Sequence, residues 1–231
     1  MIGIIGAMDV EVAKLKELMG NVNVTTVAGR EFVQGKLNGT DAVVVQAGVG
    51  KVNAASCAQA LIDHFHVSAV INTGIAGSLR AEINIGDIVL AVDAVEHDMH
   101  VGSFGYPYGQ VPGMDTLAFV ADEKLRQIAK ECSKKVNPDI GVFEGRVVTG
   151  DQFIAEKDKK AWLVETFDGY CTEMEGAAIA HVAYLNKVPY LIVRAISDKA
   201  DDSAEMDYPT FEAKAADNSV RLMIELAGRL Q

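Results

Sequence analysis

Acidic side chains stand at three places where an apolar segment of the sequence ends. Glu11 follows the apolar segment 2–8, Glu173 and Glu175 follow a short extended segment, and Asp198 follows a strongly apolar one. Any one of these acids alone is better explained as a helix-start or loop residue. Carboxylates that share a cleft shift one another's pKa values and can divide the roles of acid and base. The three places together therefore predict a site for acid–base chemistry at one sheet edge.

Two glycine-containing segments, Gly48–Lys51 and Gly74–Gly77, also follow apolar segments. Neither completes the GxGxxG pattern of a dinucleotide-binding fold, and neither has the spacing of a P-loop. We therefore interpret each of them as a tight turn after a strand, and we do not expect a dinucleotide cofactor.

Histidine and cysteine do not form a recognisable metal or nucleophile motif. His97 and His100 are close in sequence, but no third ligand is evident and there is no HExxH or GxSxG pattern. We expect both histidines to be hydrogen-bonded loop or core residues. Cys57, Cys132 and Cys171 are odd in number and far apart, which argues against a disulfide framework and favours reduced thiols. The sequence predicts neither a metal nor a cofactor.

Charge and hydropathy limit the classes of molecule that the protein can bind. The 231 residues include 21 basic and 32 acidic side chains, for a formal net charge of −11. Such a surface repels nucleic-acid phosphates and anionic lipid. There is no signal-peptide pattern and no apolar run of about 18 residues. We expect a cytoplasmic protein that binds neither nucleic acid nor membranes.

The elements that must position the acids can be predicted from hydrophobic periodicity. The predicted strands are 2–8, 31–37, 41–47, 69–73, 87–94, 145–149, 170–173 and 190–196. The predicted helices are 9–19, 53–66, 122–135, 156–165, 176–186 and a final one from Pro209 to Leu230. Segments 97–114 and 197–207 are predicted to be irregular.

This alternation predicts an α/β fold of one domain, residues 1–231, with a mixed, largely parallel central β-sheet flanked by helices on both faces. In such sheets ligands bind beyond the carboxyl ends of the strands. The predicted strand ends are where the acids lie.

Six short motifs occur in order along the chain. They are Gly3-Ile-Ile-Gly-Ala-Met8, Gly48-Val-Gly-Lys-Val-Asn53, Ile71-Asn-Thr-Gly74, Val147-Val-Thr-Gly-Asp151 with Phe153-Ile154, Glu173-Met-Glu175 with Ala178-Ile-Ala-His181, and Val193-Arg-Ala-Ile-Ser-Asp198. Together they resemble the bacterial 5′-methylthioadenosine/S-adenosylhomocysteine nucleosidases, a branch of the purine nucleoside phosphorylase family. The resemblance covers nearly the whole chain.

The resemblance implies a nucleoside phosphorylase-like fold and a homodimer that uses no metal or cofactor. It implies hydrolysis of the N-glycosidic bond of both nucleosides, which releases adenine and either 5-methylthioribose or S-ribosylhomocysteine. This reaction serves methionine salvage and removes an inhibitory product of methyl transfer.

The resemblance also implies roles for residues of this sequence. Glu11 would activate the attacking water, and Asp198, supported by Ser197, would protonate N7 of the leaving adenine. Glu175 would hold the ribose hydroxyls, and Arg194 would order the nearby carboxylates. The other residues implied to bind the nucleoside are Met8, Val49, Ile75, Phe153, Ile154, Met174 and Tyr208, with Val101 and Phe104 contributed by the neighbouring subunit.

Two of these positions depart from the family's pattern. Ile75 stands where many members have serine, and Tyr208 stands where phenylalanine is usual. The resemblance implies that Tyr208 belongs to an apolar set around the 5′ substituent, together with Met8, Val49, Val101 and Phe104. Such a set predicts that a free 5′-hydroxyl lacks a hydrogen-bond partner there, at a cost of roughly 1–3 kcal/mol.

Three alternatives stay open at this point. A phosphorolytic relative would need a phosphate clamp, but no arginine precedes Arg30 and Glu11 would repel phosphate. A non-catalytic nucleoside-binding protein would not need the complete set of acids. A nucleosidase for another 5′-modified adenosine, such as 6-amino-6-deoxyfutalosine, fits the same motifs.

Overall fold

The apolar segments of the sequence form one sheet in the computed structural model, which describes residues 1–201 and 203–230. Its strands are β1 (Ile2–Gly6), β2 (Gly20–Val27), β3 (Arg30–Leu37), β4 (Thr40–Gln46), β5 (Ala69–Ser78), β6 (Ile88–Glu96), β7 (Phe119–Val120), β8 (Val142–Thr149), β9 (Gly169–Glu173) and β10 (Tyr190–Asp198). The helices are α1 (Asp9–Leu18), α2 (Lys51–Phe65), α3 (Glu123–Val136), α4 (Lys157–Phe167), α5 (Gly176–Asn186) and α6 (Ala204–Arg229).

The sheet is mixed, as predicted, but it is not largely parallel. Its strand order is β10-β6-β8-β9-β5-β1-β4-β3-β2, and β7 pairs with β6. Strand β10 also pairs with β5, so five strands close into a barrel-like ring. Among the described residues, five strand pairings are parallel and five are antiparallel. The hairpins β2–β3 and β3–β4 and the closure of the ring account for most of the antiparallel pairings.

Helices cover both faces of this sheet. On one face α2 and α5 pack through small and aliphatic side chains such as Ala58, Leu61 and Ala180. On the other face α1, α3 and α6 bury a second set that includes Leu15 and Leu226. The strands between them are buried on both sides, which explains their nearly continuous apolar sequences.

Several predicted boundaries were wrong, and three of them concern segments that reach the site. Strand β5 continues through Gly74 and Gly77 to Ser78, where the sequence predicted a turn after Thr73. Strand β10 includes Asp198. Helix α6 begins at residue 204, so Pro209 lies inside it rather than in its first turn. Strand β2, whose residues are almost all exposed, was not predicted because it lacks an alternating apolar pattern.

The turn predicted at Gly48–Lys51 was correct. It joins β4 to α2, and both of its glycines have the positive φ angles, 87° and 98°, that side chains disfavour. None of the helices in the described part of the chain combines the length and the apolar character that crossing a bilayer requires.

Candidate active site

A cavity of about 320 Å³ opens at the carboxyl ends of β1, β5, β9 and β10. All three predicted places for acids contribute to it. The predicted residues that line it are Met8, Glu11, Val49, Ile75, Phe153, Met174, Glu175, Ser197, Asp198 and Tyr208. The cavity therefore brings together predicted residues that are up to 200 positions apart in the sequence.

Glu11 is held in this cavity by backbone groups. Its Oε2 accepts hydrogen bonds from the N–H groups of Ala7 and Met8 at 2.7 and 2.9 Å. Its Oε1 accepts one from the N–H of Ile75 at 3.0 Å. An ionised carboxylate oxygen accepts about two hydrogen bonds, so Oε1 retains a site for a further donor such as water.

Arg194 lies behind the cavity wall and is only 1% exposed. Its Nη2 donates to the side-chain oxygen of Asn72 at 2.6 Å and to the carboxylate of Glu173. The same nitrogen lies 3.8 Å from Oε2 of Glu175. Glu175 in turn accepts the N–H of Gly50 at 2.8 Å. One guanidinium group therefore orders two carboxylates at the end of β9.

In this cluster the carboxylates of Glu11, Glu173 and Glu175 outnumber the single guanidinium group of Arg194. Burial raises the pKa of Glu11, although the charge of Arg194 and the three backbone hydrogen bonds oppose the shift. Burial and the nearby Glu173 carboxylate raise the pKa of Glu175 to about 7, against the influence of Arg194. Burial alone would lower the pKa of Arg194, but the carboxylates around it raise it, so the guanidinium stays charged.

Asp198 occupies a separate position, next to a narrower cavity that adjoins the first. Its Oδ2 accepts the hydroxyl of Ser197 and its Oδ1 the N–H of Ala200, both at 2.8 Å. Burial raises the pKa of Asp198 despite these two hydrogen bonds. Phe153 and Ile154 line the same narrow cavity. A carboxyl group with a raised pKa thus lies beside an apolar slot whose wall includes Phe153.

At the solvent side, the wall of the main cavity is formed by side chains from separate segments. Tyr208 packs edge-on against Phe153, with ring centroids 5.7 Å apart. Val49 and Phe153 are each about half exposed, at 50% and 51%. This end of the cavity can therefore admit a substituent that reaches towards solvent.

Some predicted residues lie elsewhere. Val101 and Phe104 do not line either cavity, and the Phe104 ring is 81% exposed. Their proposed contribution to a neighbouring subunit stays a prediction. His97 was expected to be hydrogen-bonded, but it is buried with both ring nitrogens unpartnered. Burial lowers its pKa to about 4, so it is neutral. The described residues hold no cluster of three or more potential metal ligands.

Sequence reasoning missed the residues that make room for the acids. Asn72 and Gly74 are interior to β5. Asn72 was assigned no role of its own, and Gly74 was assigned to a turn. A Cβ atom on Gly74 would collide with Glu11 Oε1 and Arg194 Nη1. Asn72 donates to the carbonyl of Ile5 and accepts from Arg194. A polar residue and a glycine inside an apolar strand were the available signals.

Comparison with known proteins agrees with this geometry. Residues 1–227 match the phosphorylase superfamily. A 5′-methylthioadenosine/S-adenosylhomocysteine nucleosidase from Anoxybacillus flavithermus is 42% identical over 223 residues, which cover 96% of this chain and 95% of that protein. This chain belongs to the 5′-methylthioadenosine/S-adenosylhomocysteine nucleosidase family.

Solved structures of known proteins have the same fold. The nucleosidase of Colwellia psychrerythraea in complex with adenine has a TM-score of 0.95 and 38% identity, covering 99% of this chain and 95% of its own. Futalosine hydrolase of Helicobacter pylori has a TM-score of 0.93 and 32% identity, covering 99% and 97%.

The close approach at Gly74 generates a test. Gly74→Ala should displace Glu11 or Arg194 and reduce adenine-releasing turnover by ~10²-fold, the usual order for a misplacement of about 1 Å in a catalytic group. Gly20→Ala is the matched control, because a Cβ at Gly20 meets nothing within 4 Å. Turnover and the thermal midpoint would be measured for both. Wild-type turnover in Gly74→Ala would show that the cluster is not tightly packed.

Proposed function

We propose that this chain hydrolyses the N-glycosidic bond of 5′-methylthioadenosine and S-adenosylhomocysteine. The observation that carries the proposal is a pair of differently placed buried acids in one cavity. Asp198 has a raised pKa beside the apolar slot, and Glu11 is anchored next to the Arg194 cluster. Family membership and the adenine-bound Colwellia relative support adenine as the base.

At the base end, Asp198 acts as general acid. Adenine is a poor leaving group as an anion, so protonation of N7 lowers the barrier as the C1′–N9 bond breaks and its electron pair moves to the base. A positioned acid typically contributes ~10²–10⁴-fold. Phe153 stacks on the ring, Ile154 fixes its edge through backbone groups, and Ser197 holds Asp198 in position.

At the sugar end, Glu11 acts as general base. A water molecule that donates a hydrogen bond to Oε1 attacks C1′ and transfers a proton to Glu11. Glu175, with Met174 beside it, accepts hydrogen bonds from the ribose hydroxyls. The ribosyl centre becomes cationic in the transition state, and the surplus of carboxylates over guanidinium groups stabilises that charge.

Hydrolysis is favoured over phosphorolysis by the charge of the cavity. No lysine or arginine is among the described residues that line it, while four carboxylates are: Glu11, Glu173, Glu175 and Asp198. Arg194 is already engaged by two of them. A phosphate ion would meet repulsion without a compensating cation, whereas neutral water does not.

Three further properties concern domain organisation, location and assembly. We propose that residues 1–231 form a single domain, that the protein acts in the cytoplasm, and that it forms a homodimer. The apolar and aromatic side chains of segment 101–111 support the dimer, since Phe104, Tyr106 and Tyr108 are all exposed in a single chain. A partner's Val101 and Phe104 would then reach the solvent side of the cavity.

The direct test of this function is adenine release from 5′-methylthioadenosine with and without inorganic phosphate. We expect the same rate in both conditions, with 5-methylthioribose as the second product. Release that requires phosphate and gives a sugar 1-phosphate would contradict hydrolysis. Absence of release from every 5′-modified adenosine would contradict the enzyme assignment.

The roles of the two acids can be distinguished with a second substrate that has a different leaving group. Glu11→Gln and Asp198→Asn should each lower turnover of 5′-methylthioadenosine by at least ~10²-fold while retaining binding of a substrate analogue. A 4-nitrophenyl 5-methylthioriboside needs no proton to leave, so it should restore turnover in Asp198→Asn but not in Glu11→Gln. If it restores both variants or neither, the assigned roles are wrong.

A further inference from the structure

The solvent side of the cavity contains a polar group that the sequence analysis treated as part of an apolar set. The hydroxyl of Tyr208 lies 3.2 Å from Sδ of Met8 and 3.2 Å from Oε1 of Glu212. Met8 and Tyr208 both line the main cavity, whereas Glu212 is one helical turn further along α6 and does not. The tyrosine oxygen therefore contacts both Met8, which lines the cavity, and a carboxylate that does not.

The direction of the tyrosine proton follows from these two neighbours. Burial and the Glu212 carboxylate raise the pKa of Tyr208, so the hydroxyl keeps its single proton. A carboxylate is a far stronger acceptor than a thioether sulfur, and hydrogen bonds to ionised groups are roughly twice as strong as neutral ones. The proton therefore points to Glu212, and a lone pair of the tyrosine oxygen faces Met8 and the cavity.

This end of the cavity corresponds to the 5′ position of a bound nucleoside. Under the proposed function, Asp198 marks the base, and Glu11 and Glu175 mark the ribose. The remaining wall of the main cavity, formed by Met8, Val49 and Tyr208, is left for the 5′ substituent.

We propose that Tyr208 is a specificity-determining residue that presents a hydrogen-bond acceptor to the 5′ substituent. The chain would then cleave adenosines with a 5′ hydrogen-bond donor, the 5′-hydroxyl of adenosine first among them, as well as 5′-thioethers. This inference rests on the proposed function and replaces the expectation that a 5′-hydroxyl lacks a partner with a testable alternative.

The Met8 side chain makes such contact feasible. It is unbranched, with three rotatable bonds, so it can move aside when a donor on the substrate approaches the tyrosine oxygen. A thioether substituent needs no donor and can occupy the same space by packing against Met8 and Val49. One site can thus serve both classes without a change of backbone.

The test compares nucleosides that differ only at the 5′ atom. The ratio of kcat/KM for adenosine to that for 5′-deoxyadenosine should fall about fivefold in Tyr208→Phe, which corresponds to about 1 kcal/mol. 5′-Deoxy-5′-fluoroadenosine has a substituent of similar size that cannot donate. In the wild type it should be cleaved no better than 5′-deoxyadenosine.

Tyr184→Phe is the matched control. Its hydroxyl also donates to a carboxylate, that of Asp115 at 2.6 Å, but Tyr184 does not line the main cavity. The adenosine ratio should be unchanged in this variant. The thermal midpoint of Tyr208→Phe monitors folding, and because each ratio is taken within one preparation, partial loss of active protein cancels.

An unchanged ratio in Tyr208→Phe, or an equal fall in Tyr184→Phe, would overturn the proposal while leaving the nucleosidase function intact. Cleavage of the fluoro nucleoside by the wild type with a higher kcat/KM than 5′-deoxyadenosine would also overturn it, because size and polarity rather than donation would then explain the preference. Failure of the wild type to release adenine from any of these nucleosides would instead overturn the proposed function.

Discussion

The buried guanidinium of Arg194 is the interaction on which the rest of the site depends. A charge at 1% exposure is costly to bury unless it is paired and hydrogen-bonded. Arg194 meets that requirement through Asn72, Glu173 and Glu175, and its charge also acts on Glu11. Strands β5, β9 and β10 and helix α1 each contribute to the cluster, so the sheet and the site are ordered by the same contacts.

The ion cluster also explains why the cavity suits a neutral substrate that becomes cationic. One guanidinium faces several carboxylates, and burial together with the Glu173 carboxylate raises the pKa of Glu175 to about 7 despite the charge of Arg194. A cationic ribosyl centre supplies the missing positive charge only in the transition state. Interactions that strengthen at that point accelerate the reaction rather than merely binding the substrate.

The sequence predicted the acids of the site because their position depends on strand ends, which hydrophobic runs reveal. Helix α5 was predicted with its observed bounds, and α1 to within one residue. The support of the acids was not predictable in the same way. Gly74 is needed because tertiary packing brings atoms of Glu11 and Arg194 close to it, and local sequence propensity does not predict such contacts.

The errors in the sheet have a similar origin. Alternation of strands and helices indicates parallel pairing, but closure of the ring brings β6 against β10 and β5 against β9 in antiparallel directions. Whether the strands that close a ring run parallel or antiparallel depends on the whole topology.

The Tyr208 hydroxyl was classed with an apolar set for a similar reason. Its carboxylate neighbour, Glu212, becomes relevant only once α6 is placed beside Met8.

The central claim is that the charge of Arg194 lowers the pKa values of Glu11 and Glu175 against the effect of burial. It is tested most directly by the pH dependence of kcat/KM for adenine release in Arg194→Met, with Arg194→Lys as the control that retains the charge. In Arg194→Met the acidic limb should move to higher pH, because Glu11 and Glu175 lose the charge that lowers their pKa values. Circular dichroism would establish that the variants are folded across the same pH range. A folded Arg194→Met enzyme whose acidic limb stays at the wild-type pH would contradict the account.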